Sequence, residues 1–237
     1  MALRKKSRKS KSSSSLWPIF KWVMVPVGVI LVITNLQVLA VRFFNPPSTS
    51  YMIWKAIRSR ADIAPKKLRY WRSLEEISPY LRKAVLAGED QRFLSHHGFD
   101  IIELEGAIKD LARKKGKRGA STITMQVART LYLWPGRSWL RKAIEAYYTV
   151  LIELYWPKER ILEVYLNTVD WGTGVIGAEA AARRYFSTTC SKITKGQAAA
   201  MAAILPSPHK WSPVRPNGYV KRRKMRILRD IDKMPLL

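Results

Sequence analysis

A chain of 237 residues is long enough to bury one sizeable hydrophobic core with a short appendage beside it. Its 43 Lys and Arg against 17 Asp and Glu give a formal charge of +26, more than solubility requires, which points to an anionic partner: nucleic acid, anionic lipid or a diphosphate. The lone Cys190 excludes an intrachain disulfide and a cysteine-based zinc cluster, and with no histidine near it in sequence it reads as a packed small residue rather than a nucleophile.

The chain opens on a basic tail, residues 1–21, in which Arg4, Lys5, Lys6, Arg8, Lys9 and Lys11 meet no acid and run into the serines Ser12 to Ser15. The first fifteen residues of it cannot bury a core and are expected to be disordered. Residues 22–41 carry no charge, and only Thr34, Asn35 and Gln37 interrupt the apolar run. That is about the ~20 residues a helix needs to cross a bilayer, with Trp17 and Trp22 placed for an interfacial aromatic belt. A cleaved signal peptide is the rival, but the apolar stretch is too long and ends without an A-x-A site. The basic tail predicts an N-terminus inside the cytoplasm, with everything after Arg42 facing outward; Arg42, Lys55, Arg58 and Arg60 weaken this asymmetry without reversing it. Subtracting the seven Lys and Arg up to Lys21 leaves +19 on the remainder, so the tail does not account for the charge.

Residues 42–67 read as a membrane-proximal linker and lip. Asn45, Pro46, Pro47 and Ser48 block helix continuation, and Tyr51, Met52, Ile53 and Trp54 beside Lys55 and Arg58 have the composition of an interfacial surface. From residue 68 to 237 the pattern predicts one mostly α domain. Apolar residues recur at spacings of three and four over Ile101 to Leu111, Thr122 to Leu133 and Trp139 to Tyr155. Pro157 suits the first turn of the next helix, and a last helix is expected over Lys195 to Leu205. No stretch alternates cleanly enough to predict a sheet.

Four segments carry candidate chemistry. The run from Gly88 to Gly98 holds Glu89, Asp90, Phe93, His96 and His97. A Glu in an apolar pocket gains a raised pKa and becomes a proton-transfer group near neutral pH, whereas Glu-Asp after Gly is more often a solvated helix cap. The run from Gly119 to Arg129 offers Ser121 as an N-cap, with Thr122 and Gln126 behind it, and a helix N-terminus there is a ready site for phosphate oxygens or simply a capped helix. In the run from Arg137 to Glu145, Arg141 and Glu145 share a helix face. Arg137, Arg141 and Lys142 then bind an anion while Glu145 holds one of them in place or faces the reacting sugar, or the pair is an ordinary surface ion pair. The run from Lys158 to Asn167 places Lys158, Leu162 and Tyr165 near one face, with Glu163 four before Asn167. Taken singly, core packing is its simpler explanation.

Together, in this order and spacing, these segments resemble the peptidoglycan glycosyltransferases, the transglycosylase module of bifunctional penicillin-binding proteins, in its monofunctional form. E-D-x-x-F-x-x-H-x-G is matched at Glu89, Asp90, Phe93, His96 and Gly98. G-x-S-T-x-x-Q-Q is matched at Gly119, Ser121, Thr122 and Gln126, R-K-x-x-E at Arg141, Lys142 and Glu145, and K-x-x-I-L-E-x-Y-L-N throughout from Lys158 to Asn167. Ala181, Ala182, Tyr185 and Phe186 look like a fifth motif. Met125, Arg129, Thr130 and Ser187 depart from the family's usual Gln, Lys, Asn and Gly.

The resemblance implies a lysozyme-like α fold against a bacterial cytoplasmic (inner) membrane, with its catalytic domain outside the cytoplasm. It implies that Glu89 acts as general base on the acceptor 4-hydroxyl, that the reaction at C1 inverts, and that Glu145 is the second catalytic acid. Arg129, Arg137, Arg141 and Lys142 would steady the departing diphosphate, and Asp90, Phe93, His96, Ser121, Thr122, Gln126, Lys158, Glu163, Tyr165 and Asn167 would frame the substrate. The partners implied are lipid II, the growing lipid-linked strand, the membrane and other cell-wall synthesis proteins, with no nucleic acid. No cofactor is required by the pattern; a divalent ion, Mg or Mn, is compatible with the family, and no ligand set for it is legible. A glycan hydrolase of lysozyme type and a tethered nucleic-acid binder are the competing readings. The first has no use for so many cations, and the second leaves the four motifs unexplained.

Overall fold

A computed structural model describes residues 17–59, 70–113, 119 and 121–237. The expectation of disorder in the N-terminal tail and the basic loop at 114–118 lie outside these residues. The chain divides into two compact units between Gln37 and Val38.

The first unit contributes most of α1 (Trp17–Phe43), which runs through Pro26 with its apolar side chains largely uncovered. Within α1 the segment Met24–Phe43, 20 residues, is long and apolar enough to cross a membrane.

The second unit begins on the last turns of α1. Val38 is fully buried and its carbonyl accepts from Trp156 Nε1 at 2.9 Å. The Arg160 guanidinium donates to the carbonyls of Val41 and Phe44, satisfying acceptors that every helix leaves open at its C-terminus. The two prolines do break the chain, but the stretch read as a lip is itself helical, α2 (Ser50–Ser59), tied to the domain where Ser50 Oγ donates to Leu131 O at 2.6 Å.

The domain proper is built from α3 (Pro79–Glu89), α4 (Ile101–Ala112), α5 (Ile123–Tyr132), α6 (Trp139–Tyr155), α7 (Lys158–Thr168), α8 (Ala178–Phe186), α9 (Lys195–Ile204) and α10 (Gly218–Asp230). Local sequence sets the boundaries. Pro79 opens α3, and side chains of Asp100, Ser138, Thr194 and Asn217 accept first-turn amides of α4, α6, α9 and α10. Pro157 is the residue before α7 rather than inside its first turn, and the α5 cap is Thr122, not the expected Ser121.

α9 forms the centre of one half. Its residues from Ala198 to Ile204 are all buried, and the short alanine side chains let α3 and α10 pack closely against it. In the other half α5 lies against both α6 and α7. Tyr132 and Tyr148 stack across the α5–α6 contact with centroids 4.3 Å apart. Trp171, Tyr165 and Phe93 are the largest fully buried side chains.

Three features depart from the sequence reading. A two-stranded antiparallel hairpin, β1 (Asp170–Gly172) with β2 (Val175–Ile176), follows α7; strands of three and two residues are too short to show alternation. The helix expected to be last is followed by α10, whose buried apolar positions, Val220 and Ile227, are diluted by six basic residues. Lastly, α4 buries no side chain: Ile101, Ile102, Leu104, Ile108 and Leu111 are all exposed despite their helical spacing.

Cys190 is buried as its sequence context suggests. Burial, reinforced by Glu179, pushes its thiol up to about 12, which keeps it protonated and inert.

Candidate active site

Glu89 is the last residue of α3, and two helices from elsewhere in the chain hold its carboxylate. Gln126 Nε2, on α5, donates to Oε2 at 3.0 Å, and Arg223 Nη2, on α10, donates to Oε1 at 2.8 Å and also to Gly88 O. The far end of the Gln126 amide is fixed in turn, because Tyr165 OH donates to its Oε1 at 3.4 Å. Burial raises the Glu89 pKa above its ordinary value; the Arg223 charge and the two hydrogen bonds oppose the rise, and Asp90 adds to it. A carboxylate that is desolvated yet still paired is what a general base near neutral pH requires. Burial, helped by Glu89, also keeps the Tyr165 phenol far from ionising, so it remains a donor.

Asp90 turns away from this group and ties the first motif to the second. Its Oδ1 meets His96 Nε2 at 2.9 Å and its Oδ2 accepts the Ile123 amide at 3.0 Å. Thr122 Oγ1 accepts the Met125 amide and donates to Gly98 O at 2.6 Å. Two first-turn amides of α5 are therefore already satisfied, as in the capped-helix reading of that N-terminus. Gly98 stands at φ +86 with Thr149 Cγ2 2.7 Å from where a Cβ would sit, so the motif requires glycine there.

Lys158 fixes the same loop from below. Its ammonium donates to His96 O at 2.8 Å and to Glu153 at 2.9 Å, and lies 4.5 Å from the Phe93 ring centroid. Glu153 also accepts from Thr124 Oγ1 at 2.5 Å. No pattern in the sequence singled out Glu153. Glu163 and Asn167 likewise have internal partners. Glu163 accepts from Trp71 Nε1, the Leu74 amide and Arg160, and Asn167 brackets the Arg72 backbone with its side-chain oxygen and nitrogen. The fourth motif thus braces the walls of the site, with only Tyr165 reaching toward Glu89.

Glu145 is fully buried on α6. Arg141 Nη1 donates to Oε2 at 3.0 Å and Lys142 Nζ to Oε1 at 2.6 Å, so this carboxylate orients two cations at once. Glu145 makes no hydrogen bond to Glu89; α5 is the element that reaches both, touching Glu89 through Gln126 and packing along α6. Arg129 lies on α5 close enough to act electrostatically on Tyr165. Arg137 is exposed on the loop before α6, and Ser121 is half-buried beside the Thr122 cap.

Asp90, His96 and Asp100 have donor atoms within 4.8 Å of one another. Their chemistry does not suit a dication. Arg92 pairs with Asp100 through two donors, Asp90 is engaged by His96 and an amide, and Lys158 lies on the His96 carbonyl. An open hollow of about 450 Å³ lined by Arg183, Ser187, Thr188, Thr189 and Lys192 contains none of the predicted site residues.

Residues 57–232 match the family model described as Transglycosylase. The chain belongs to that family. Proteins named biosynthetic peptidoglycan transglycosylase from Pseudomonas putida (strain GB-1) and Pseudomonas entomophila (strain L48) are each 50% identical over 198 residues, 83% of this chain and 84% of theirs. One of the same name from Pseudomonas aeruginosa is 49% identical over 187 residues, 78% of this chain and 81% of its own. The helical domain of this transglycosylase is accordingly lysozyme-like, as its sequence implied.

The departures from the family pattern acquire locations. Met125 is buried, consistent with an apolar side chain there, and Thr130 Oγ1 donates back to Gln126 O at 2.8 Å. Ser187, where this transglycosylase lacks the usual Gly, is the C-cap of α8 at φ 50 and the only non-glycine with positive φ among the described residues. Glycine adopts that conformation without a Cβ clash. Ser187→Gly is therefore expected to raise stability by about 0.5–1 kcal/mol, read as a shift in the denaturation midpoint.

Proposed function

We propose that the chain polymerises peptidoglycan glycan strands from lipid II, with Glu89 as the general base. Glu89 takes the proton from the 4-hydroxyl of the acceptor sugar as that oxygen attacks C1 of the donor from the face opposite the diphosphate. Configuration at C1 inverts, a β-1,4 bond forms and the lipid diphosphate departs with its electron pair. The leaving group is already a stabilised anion, so cations suffice in place of a strong acid. Arg141 and Lys142, aligned by Glu145, fill that role with Arg129 and Arg137. Asp90, His96, Thr122 and Lys158 keep the loop that follows Glu89 in register with α5, while Glu163 and Asn167 hold the outer wall.

The observation that carries this reading is the carboxylate of Glu89, buried and held from one side by Gln126 and from the other by Arg223. A glycan hydrolase would also use a sheltered Glu, but a neutral sugar leaving group has no need of a helix whose buried acid is devoted to aligning two cations.

Lipid-linked substrates require a site at the bilayer. The apolar span Met24–Phe43, the exposed Ile53, Trp54 and Ile57 of α2 and the uncovered apolar face of α4 support anchoring in the inner membrane. The basic tail at the N-terminus favours a cytoplasmic N-terminus and an extracytoplasmic domain.

Full-length chain mixed with lipid II in liposomes tests the reading: polymer longer than the substrate disaccharide is expected. Cleavage of finished strands with no polymer formed would overturn it.

A further inference from the structure

Tyr165 belongs to a motif that reads as part of the substrate frame, yet it is 2% exposed on α7 and its hydroxyl ends on a neighbour within the fold. That neighbour is the Gln126 side chain, whose Oε1 accepts from the phenol at 3.4 Å while its Nε2 donates to Glu89 Oε2 at 3.0 Å. A side-chain amide has two ends of nearly equal size and opposite chemistry. With nitrogen toward Glu89 the amide donates to the carboxylate and favours its charged form; with oxygen toward Glu89 it repels the carboxylate and favours the acid.

The Gln126 backbone does not choose between these ends. It is held within α5, its N–H donating to Thr122 O and its carbonyl accepting from Thr130 Oγ1. An ionised Glu89 selects the nitrogen end unaided. A protonated Glu89 would draw the oxygen end toward its own O–H, and every turnover protonates the base. The phenol opposes that reversal: burial keeps the Tyr165 hydroxyl protonated well above its ordinary range, so it always has a proton to give the amide oxygen. We infer that Tyr165 is a positioning residue that acts on the base through Gln126, by holding the amide with its nitrogen toward Glu89 Oε2. The charged groups that face Glu89 are Arg223 from α10 and Asp90 beside it in the chain, and Arg129 of α5 acts electrostatically on Tyr165. The inference rests on Glu89 being the base of the proposed reaction.

Tyr165→Phe tests it, because the change removes the hydroxyl and keeps the ring that fills the site. In the lipid II assay this variant should lower kcat about fivefold near pH 6, leave KM unmoved and shift the acid limb of the pH–rate profile upward by about half a pH unit, the worth of one hydrogen bond. Gln126→Leu should shift the limb at least as far, and adding Tyr165→Phe to it should shift the limb no further. Additive shifts overturn the inference, because the phenol would then act on Glu89 or on substrate directly. So does an unmoved limb in Tyr165→Phe, or a loss carried by KM. The same coupling is readable without turnover, by following the Glu89 carboxyl carbon with carbon-13 NMR as pH is changed. Full-length chain in detergent micelles is used, and the signal is assigned by its disappearance in Glu89→Gln. Its titration midpoint should rise in Tyr165→Phe and in Gln126→Leu, with the double variant matching Gln126→Leu; unchanged midpoints overturn the inference. Turnover surviving in Glu89→Gln would remove the base, and the titration would still judge the link from Tyr165 through Gln126.

Discussion

Glu89→Gln is expected to lower the polymerisation rate on the order of a thousandfold, the usual worth of a positioned general base, with the domain still folded. Gln has the same shape and keeps an oxygen for the Arg223 donor, but it has no basic electron pair. Stability moves in the other direction from activity. Burial raises the Glu89 pKa above the ordinary 4.5, so between that value and the folded-state value the folded chain holds a proton that the unfolded chain has released. The stability tied to this group is whole below pH 4.5 and is lost as pH rises through the folded-state pKa. A neutral Gln cannot lose it, so the variant should be as stable as wild type in acid and at least as stable at pH 8. Thermal melts at both pH values, beside a lipid II rate assay, check both halves. Near-normal turnover would remove Glu89 from the role of base.

Arg223→Ala is expected to be the next most damaging change, on the order of a hundredfold in rate at pH 7, with about 2 kcal/mol of stability lost. The guanidinium holds both the Glu89 carboxylate and the Gly88 carbonyl, and its charge is the largest influence opposing burial in setting the Glu89 pKa. Without it the carboxylate stays protonated to higher pH, and the acid limb of the pH–rate profile moves upward. Part of the lost rate should therefore return at alkaline pH. A purely structural role for Arg223 predicts a lower rate at every pH with the limb unmoved. Arg223→Lys should recover charge but not the two-point contact, giving an intermediate limb position.

Much of the site was legible because its motifs are local. Glu89 through Gly98 lies in one turn and loop, Arg141 and Glu145 are four apart on one helix, and the helices from α5 to α7 follow from apolar spacing within a few residues. What failed to show were contacts made across the chain. Arg223 is separated from Glu89 by 134 positions, and α10 was overlooked because its basic residues hide a sparse apolar period. Glu153 carries no motif and acquires meaning only when α5, α6 and α7 come together around Lys158. The N-cap of α5 was misplaced by one residue because Ser121 and Thr122 are chemically alike there; Thr122 takes the role since its hydroxyl also reaches Gly98 O. The apolar spacing of α4 predicted a buried face that the fold leaves uncovered, since periodicity records amphipathicity and not what covers it.

Sequence alone determined the helical class, the apolar span, the family and the acid at the end of α3, because each depends on residues within one or two helical turns. Only the tertiary structure decided that Glu89 is shared between α5 and α10, and that Lys158, Glu163 and Asn167 are engaged by partners within the fold. Partners of a buried charge are chosen by desolvation and packing, which act between segments that the chain brings together only on folding.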